Sequence, residues 1–291
     1  MQSICLLVSG GLGYKILQQI FSSEHKLKAV FTNKKSTEII DFCTKSRIPF
    51  YSGNPRNGKA QDFLSTFECD VVLSVNYLFI IEKDLIDKPK KYAINIHGSL
   101  LPKYRGRTPH VWAIINGEIE TGITAHLIDD KLDNGQIIEQ IKIPIHSRDT
   151  GANILEKFSE KYPTLVDSIL EKINNGSLSF TPQDSTQASY FGKRTPEDGK
   201  INWQWSRERI YNWIRAQAKP YPGAFTFIEE QKIIIHRSEI SDLGFRQEQN
   251  NGEVLSIEDE NIFVKTNNGV IKVSELESGI PKKLKIGTIL S

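Results

Sequence analysis

Cysteine is scarce in this sequence, and the cysteines that occur do not suggest a site. The 291 residues contain Cys5, Cys43 and Cys69, an odd number with no Cys-x-x-Cys pair. This set argues against a disulfide framework and a cysteine-based zinc site, and it indicates buried, reduced thiols. A reducing compartment, the cytoplasm, is therefore the expected location.

Long apolar runs are also missing. The amino terminus, MQSICLLVSGG, has neither the basic start nor the long apolar core of a signal peptide. No run approaches the roughly 20 apolar residues that a membrane span needs. The sequence therefore predicts a protein that does not insert into a membrane.

Neither sign of charge is in excess. Lys and Arg number 37 and Asp and Glu number 35, which gives a formal net charge of +2. From residue 201 to 291 there are 12 basic and 12 acidic residues, a net charge of zero. Because nucleic-acid binding requires cations that neutralise phosphates, this composition argues against a nucleic-acid partner.

Several catalytic motifs are absent as well. There is no HExxH, and the only other histidine near His97 is His110 on a predicted helix, so no metal is expected. No serine lies in a GxSxG elbow, so an acyl-enzyme has no candidate nucleophile. Residues 9–15, SGGLGYK, lack the third glycine of a dinucleotide fingerprint, which disfavours a redox cofactor. These glycines suit either a phosphate at a helix start or a tight turn without a ligand.

The first half of the chain alternates strand-like and helix-like segments. Apolar strands such as SICLLVS, KLKAVFT and DVVLSVN are separated by segments with helical spacing such as YKILQQIFSS. This rhythm predicts an α/β fold with a Rossmann-like, mostly parallel sheet. Residues 121–128 and 136–145 predict two more strands, the second with an antiparallel partner. A helix is predicted from about Thr150 to Asn174, and Pro163 is expected to kink or interrupt it.

The character of the sequence changes near residue 180. A catalytic domain is predicted over residues 1–180, and the polar, Pro- and Gly-containing residues 181–200 predict an extended linker. Residues 201–291 predict one helix, SRERIYNWIRAQA, followed by short strands, with NNG at 267–269 as a hairpin signal. The second domain is therefore expected to be small, mostly β and barrel-like.

The stretch NIHGSLLPKYRG, residues 95–106, has the strongest chemical signal. Asn95 and His97 stand two apart at the predicted end of a strand, so their side chains point to the same side. In open α/β sheets the carboxyl ends of strands face the ligand crevice. This pair suits attack on a carbonyl, because the histidine can accept a proton while the amide stabilises an oxyanion. A purely structural histidine is the alternative for His97.

A carboxylate commonly fixes the tautomer of a catalytic histidine and raises its pKa. The turn DDKLDNG offers Asp129, Asp130 and Asp133, and spacing alone does not choose among them. His126 and His146 are interpreted as structural or exposed.

The residues NIHGSLLPKYRGRTP, followed by TGITAHLIDDKLDNGQII and IPI, closely resemble the catalytic core of the folate-dependent formyltransferases. The resemblance covers about residues 70 to 146. It implies a Rossmann-like domain and 10-formyltetrahydrofolate as the formyl donor. The formyl group would pass directly to an amine, without a metal or a covalent enzyme intermediate. The resemblance also implies catalytic roles for Asn95, His97 and Asp133, and so selects one of the three carboxylates.

The resemblance further implies where the two substrates bind. The pterin is expected near the turn at 127–133 and the loop that follows the preceding strand. The implied folate-binding residues are Leu78, Phe79, Ile80, Ile81, Leu127, Asp129, Asp130 and Lys131. The acceptor's nucleotide is expected near the first turn, and the implied substrate-binding residues are Ser9, Gly10, Gly11, Tyr14, Ser99, Lys103 and Arg105. The cations Lys103, Arg105 and Arg107 suit a diphosphate or the folate glutamate tail, and the sequence does not divide these roles.

The acceptor implied by the resemblance is a nucleotide-linked aminosugar. A second domain argues against a single-domain purine-pathway enzyme, and the segment FTNKKSTEII lacks the basic insertion of methionyl-tRNA formyltransferases. The segments HVWAIINGE and IRA…PYPGAF are similar to those of aminosugar formyltransferases. The sugar implied most closely is dTDP-4-amino-4,6-dideoxyglucose, used for cell-surface polysaccharide such as the O-antigen of lipopolysaccharide.

Other functions stay open beside this one. They are a methionyl-tRNA formyltransferase, a hydrolase that releases formate from the same folate, and a non-catalytic binding protein with the same fold. A homodimer is the expected assembly. The nucleotide base, the position of the amine and the sugar stereochemistry do not follow from the sequence.

Overall fold

The computed structural model describes all 291 residues. Strands and helices alternate at first, in the order β1 (Ser3–Val8), α1 (Gly10–Phe21), β2 (Lys26–Thr32), α2 (Thr37–Lys45), β3 (Phe50–Ser52), α3 (Gln61–Leu64), β4 (Val71–Val75), α4 (Lys83–Ile86) and β5 (Tyr92–His97). There follow β6 (Arg105–Gly106), α5 (Pro109–Ile115), β7 (Glu120–Leu127), β8 (Ile137–Pro144), α6 (Gly151–Asn175) and β9 (Tyr190–Phe191). The last part contains α7 (Arg207–Ala216), β10 (Ala224–Ile228), β11 (Gln231–Ser241), β12 (Val254–Glu258), β13 (Asn261–Thr266) and β14 (Gly269–Leu276).

Seven strands form one sheet, in the order β3-β2-β1-β4-β5-β7-β8. The strands from β1 to β5 pair in parallel, whereas β7 pairs antiparallel with β5. The predicted mostly parallel α/β sheet is therefore confirmed, and the two strands predicted after it are β7 and β8. Strand β4 is buried at every residue, as a central strand covered on both faces should be.

Helix α1 lies close against the first strand. Its buried residues Ile16, Leu17 and Ile20 recur at helical spacing and form its inner face. A Cβ atom at Gly13 would lie 2.9 Å from the Cβ of Val8, which is closer than packed carbon atoms approach. Glycine at this position therefore allows the helix to contact β1 directly.

Helix α6 continues through Pro163, so the expected interruption does not occur. Proline has no N–H and therefore leaves the carbonyl of the residue four positions earlier, Ser159, without its helical partner. Lys15 Nζ donates to that carbonyl at 2.8 Å. Buried Phe158, Leu165 and other apolar residues of α6 lie on either side of the proline. The lost bond is thus replaced from another helix, and buried residues anchor α6 on both sides of the proline.

Two compact units can be distinguished along the chain. The first comprises Met1–Gly106, Gly122–Ile143 and Lys157–Tyr190, and the second comprises Arg107–Thr121, Pro144–Glu156 and Phe191–Ser291. The second contains an antiparallel sheet in the order β10-β11-β14-β13-β12, which confirms a mostly β carboxy-terminal part. Its NNG sequence joins β13 to β14 in the predicted hairpin. The boundaries at 180 and 200, and closure into a barrel, stay predictions.

The remaining expectations about the fold concern cysteine and membrane insertion. Cys5, Cys43 and Cys69 are all buried and unpaired, as predicted. None of the helices combines the length and the apolar character that crossing a bilayer requires.

Candidate active site

The end of strand β5 presents Asn95 and His97 on the same side of the sheet. Asn95 is half-buried and His97 is only 7% exposed. The chain then turns away at Gly98, where a Cβ atom would lie 3.0 Å from the Phe158 ring. Two polar side chains are therefore held at the end of a buried strand, as strand alternation predicts.

The hydrogen-bond partners of His97 fix which nitrogen is protonated. Nε2 lies 2.8 Å from the backbone oxygen of Tyr104, which can only accept, so Nε2 is the donor. Nδ1 consequently faces the carboxylate of Asp133, with 3.6 Å between Nδ1 and Oδ2. That gap is too long for a direct hydrogen bond. In this tautomer Nδ1 carries a lone pair that faces the carboxylate. A proton that arrives between these two acceptors can be shared by them.

Asp133 reaches this position through an unusual backbone conformation. Its φ is +50°, in the left-handed region that aspartate tolerates better than most residues. Its side chain is 9% exposed, and Oδ2 accepts from the backbone N–H of Gly106 at 2.9 Å. The next glycine, Gly135, is required by close contact, because a Cβ there would lie 1.8 Å from the Leu127 oxygen.

The other two candidate aspartates lie apart from His97. Asp129 accepts from the backbone N–H of Lys131 and from the side-chain amide of Asn134, both at 3.0 Å, and so holds the turn together. Asp130 is exposed. Of the three carboxylates that the sequence left open, the structure brings Asp133 to the histidine.

His126 is a member of this cluster that the sequence interpretation missed. It is 3% exposed and stands opposite Asn95 across the pairing of β5 with β7, whereas His146 is exposed as expected. Nδ1 donates to the Leu127 oxygen at 2.7 Å, so Nε2 is free to accept from Asn95 Nδ2 at 3.1 Å. The same Nε2 lies 3.7 Å from Asp133 Oδ1. Because His126 Nε2 accepts this bond, it fixes the orientation of the Asn95 amide, with the nitrogen toward His126.

Burial keeps His126 neutral. Loss of hydration lowers its pKa to about 4, and the nearby Asp133 carboxylate only partly opposes this effect. A neutral ring with its proton on Nδ1 is the form that can accept from Asn95. The alternating pattern of residues 121–128 places His126 on a strand. The sequence does not show that this strand pairs with β5, which is what brings His126 to Asn95.

Arg105 is the largest fully buried side chain in the protein, at 1% exposure. It makes hydrogen bonds only with uncharged groups. Nη1 donates to Asn134 Oδ1 at 3.0 Å and to the Tyr190 hydroxyl, while Nε and Nη2 donate to Gln183 Oε1 at 3.2 and 2.7 Å. The guanidinium thus faces the protein. Its predicted contact with an anionic substrate stays a prediction.

Gln183 links Arg105 to the turn that carries Asp133 through hydrogen bonds. Its Nε2 donates to the backbone oxygens of Asp133 at 3.0 Å and Gly135 at 2.7 Å, while its Oε1 accepts from Arg105. Gln183, like Tyr190, belongs to the segment predicted as a linker. This segment therefore also helps to hold the turn that carries Asp133, which its polar composition did not indicate.

The predicted folate-binding residues divide between two loops. In the loop after β4, Leu78 and Ile80 are 46% and 56% exposed, and Phe79 and Ile81 are half-buried. In the turn after β7, Leu127 is half-buried and Lys131 is exposed. Ile81 of the first loop and Ile128 of the second pack against the same cluster of buried residues. The two loops are therefore anchored to a common core.

The predicted substrate-binding residues at the first turn, between β1 and α1, are held by hydrogen bonds to neighbouring loops. Gly10, at φ +63°, donates its N–H to Ser36 Oγ, and Asn76 Nδ2 donates to the Ser9 oxygen, both at 2.9 Å. The Ser9 hydroxyl is buried without a partner, and space beside Gly11 is open. The hydroxyl of Tyr14, on α1, accepts from Gln18 at 3.2 Å.

Ser99 and Lys103 lie in the loop that follows β5. The Ser99 hydroxyl is fully buried and donates to the Lys103 oxygen at 2.7 Å, which closes the loop. The Lys103 side chain is exposed. Roles for both residues in binding an acceptor stay predictions.

Comparison with known families resolves the class of protein. Residues 7–169 match the formyl transferase family, and residues 193–291 match the formyl transferase carboxy-terminal domain. The chain belongs to the formyltransferase family. The membership predicted from NIHGSLLPKYRG and the aspartate turn is thus confirmed.

Individual relatives come from more than one functional group. The bifunctional polymyxin resistance protein ArnA of Wigglesworthia glossinidia brevipalpis is 38% identical over 79% of this chain and 35% of its own length. A methionyl-tRNA formyltransferase of Ruminiclostridium cellulolyticum is 37% identical over 75% of this chain and 69% of its own length. The chain thus spans about a third of ArnA.

Solved structures with the same fold include sugar N-formyltransferases. WlaRD, a sugar 3N-formyltransferase studied with dTDP and 5-N-formyltetrahydrofolate, has a TM-score of 0.73 at 23% identity, with 98% of this chain and 99% of that chain covered. A Helicobacter canadensis N-formyltransferase in complex with folinic acid and dTDP-3-aminofucose gives 0.73 at 21% identity, with coverage of 95% and 100%. At these identities the likeness establishes the fold.

The buried pairing of His126 predicts its titration behaviour. Its ring should keep a proton on Nδ1 alone from pH 8 down to the region of its pKa, about 4. Because the folded-state pKa lies below the ordinary 6.5, the unfolded chain binds the proton first. This residue should therefore lower stability as pH falls from about 6.5 to about 4. Nitrogen chemical shifts of the ring, measured by NMR across this range and repeated in denaturant, check the prediction. A ring that titrates near 6.5 in the folded protein would contradict it.

Proposed function

We propose that this protein transfers a formyl group from 10-formyltetrahydrofolate to the amine of a nucleotide-linked aminosugar. The most specific acceptor we propose is dTDP-4-amino-4,6-dideoxyglucose, in the synthesis of a cell-surface polysaccharide such as O-antigen, by a cytoplasmic homodimer. The observation that carries the reaction is the convergence of Asn95, His97 and Asp133 at the end of β5, with the neutral ring of His126 behind them.

Each of these side chains has a chemical task in the proposed transfer. The amide of Asn95, with one N–H held by His126, directs its other N–H toward the oxyanion that forms when the amine attacks the formyl carbon. Nδ1 of His97 accepts the proton that the amine loses, and the carboxylate 3.6 Å away stabilises the resulting imidazolium. The same pair can return a proton to the departing folate nitrogen. No covalent bond to the enzyme is needed.

The proposed folate site lies between the loop after β4 and the turn after β7. Leu78 and Ile80 expose apolar surface that a pterin could cover, which would remove it from water. In this proposal, backbone groups of both loops hydrogen-bond the pterin. The ligands of WlaRD and the Helicobacter canadensis enzyme are a formylated folate and folinic acid, which supports a folate donor here.

A nucleotide-linked sugar is the favoured acceptor. The same two structures were studied with dTDP and with dTDP-3-aminofucose, and a Francisella tularensis 4-N formyltransferase has the same fold, with a TM-score of 0.68. We propose that Ser9, Gly10 and Gly11 meet the nucleotide, since a buried hydroxyl without a partner and open space lie there. Methionyl-tRNA is the second candidate, because a tRNA-specific relative is 37% identical. The zero net charge of residues 201–291 argues against it.

Direct assay of acceptors tests the proposal. Purified protein with 10-formyltetrahydrofolate should formylate a dTDP-linked 4-amino sugar in a panel of dTDP-, UDP- and GDP-aminosugars. Initiator methionyl-tRNA should be neither formylated nor shifted in electrophoresis. Formylation of the tRNA, or formate release that needs no acceptor, would overturn the aminosugar assignment.

The proposed oxyanion contact predicts a loss of turnover in Asn95→Ala. Removal of one such donor typically lowers kcat by about 10² to 10³-fold. Folate binding, measured by calorimetry, should stay close to that of the wild type, because Asn95 acts in the transition state. The exposed Asn54 provides the matched control, Asn54→Ala, which should leave kcat unchanged. Near-normal turnover of Asn95→Ala would exclude this role.

A further inference from the structure

A small cavity lies within the second unit. It has a volume of about 100 Å³ and is lined by residues that include Thr108, Val111, Arg194, Gln217 and Tyr221. These residues come from the start of α5, the segment before residue 200 and the segment after α7. At roughly 30 Å³ per water molecule, the cavity has room for about three water-sized groups.

Two polar atoms at this cavity have no partner in the protein. Gln217 is 6% exposed, and its Nε2 is buried without a hydrogen bond. Its amide cannot be turned around, because Oε1 accepts from Arg194 Nη2 at 3.0 Å and arginine only donates. The hydroxyl of Thr108 is likewise buried and unpaired. An unsatisfied buried group costs about 1 to 3 kcal/mol, so the cavity favours a polar occupant.

The charge at this cavity is positive. The Arg194 guanidinium lies over the rings of Trp112 and Trp213, 4.9 and 4.4 Å from their centroids, and forms no ion pair. Its hydrogen bonds run from Nη2 to Gln217 and to the backbone oxygen of Asp198. The Asp198 carboxylate is turned instead to Thr195. Nε and Nη1 of Arg194 thus keep donors without a protein acceptor.

The Asp198 carboxylate acts on the Arg194 charge without forming an ion pair, and apart from Arg194 the residues that line the cavity are uncharged. The Tyr221 hydroxyl is paired with His110 Nε2 at 2.7 Å, and burial holds the His110 pKa at about 4, so this ring is neutral. Val111 contributes apolar wall. A cation, an unpaired amide N–H and an unpaired hydroxyl therefore lie at one cavity whose lining contains no carboxylate, which is an arrangement that binds carboxylate or phosphate oxygens.

We propose that this cavity binds an oxyanion of a substrate, either a phosphate of the nucleotide-linked acceptor or a carboxylate of the folate glutamate. The choice of these two sources rests on the proposed function, whereas oxyanion binding does not. Occupancy by water alone is the competing account.

The test measures anion binding to the full-length protein. Pyrophosphate is titrated by calorimetry and by tryptophan fluorescence, which should respond because two tryptophans flank Arg194. In Gln217→Glu a carboxylate replaces the unpaired amide and pairs with Arg194. This variant should melt no lower than the wild type, yet its Kd for pyrophosphate should rise at least about tenfold, the value of one charge-assisted hydrogen bond. Gln231→Glu, the same change at an exposed position, should stay within about twofold.

Competition experiments then show which substrate supplies the oxyanion. Displacement of pyrophosphate by dTDP identifies the nucleotide, and displacement by 5-formyltetrahydrofolate identifies the glutamate. No pyrophosphate binding by the wild type, or an unchanged Kd in Gln217→Glu, would overturn the oxyanion site in favour of water. Binding that neither compound displaces would overturn its assignment to a substrate. Failure to formylate any aminosugar would leave the pyrophosphate result intact, so the two proposals fail separately.

Discussion

The carboxylate of Asp133 faces two histidines and a backbone amide, and the rest of the site is built around its position. One oxygen accepts from the Gly106 N–H and lies 3.6 Å from His97, while the other lies 3.7 Å from His126. A buried carboxylate is costly unless its oxygens find donors or a proton. The structure provides one fixed donor and a histidine whose free nitrogen can be protonated. These groups offset the cost of burying the carboxylate, which the proposed mechanism uses for proton transfer.

The antiparallel strand β7 makes this arrangement possible. It pairs with β5 so that His126 lies opposite Asn95, and it leads into the turn that returns Asp133 to His97. That turn is held from the other side by the buried Arg105, through Gln183 and Asn134. Arg105 makes no ion pair, so its charge is stabilised by hydrogen bonds to neutral groups. The left-handed backbone at Asp133 is thus maintained by a surrounding network, as a residue in a sparsely populated conformation requires.

Local sequence rules predicted the features that depend on local geometry. Strand alternation placed Asn95 and His97 on one side, and the βα rhythm and the NNG turn predicted the two sheets. Features that depend on distant pairing could not be predicted. Spacing did not choose Asp133, because its left-handed φ and its bond to Gly106 depend on β6 and the following loop. His126 was missed because its role needs the register of β5 against β7. The break that Pro163 suggested does not occur, because Lys15, 148 positions away, supplies a donor to the carbonyl that the proline leaves without its helical partner.

Substitution of Asp133 by asparagine gives the most direct measurement of the central claim, which is that this carboxylate drives proton transfer at His97. The variant retains an oxygen that can accept from Gly106, so the turn should be preserved. In a single-turnover assay with bound 10-formyltetrahydrofolate and acceptor, the account predicts that the rate of formyl transfer falls by at least about 10²-fold, the usual size of general acid–base assistance. Folate affinity should change little. A single-turnover rate close to that of the wild type would contradict the account.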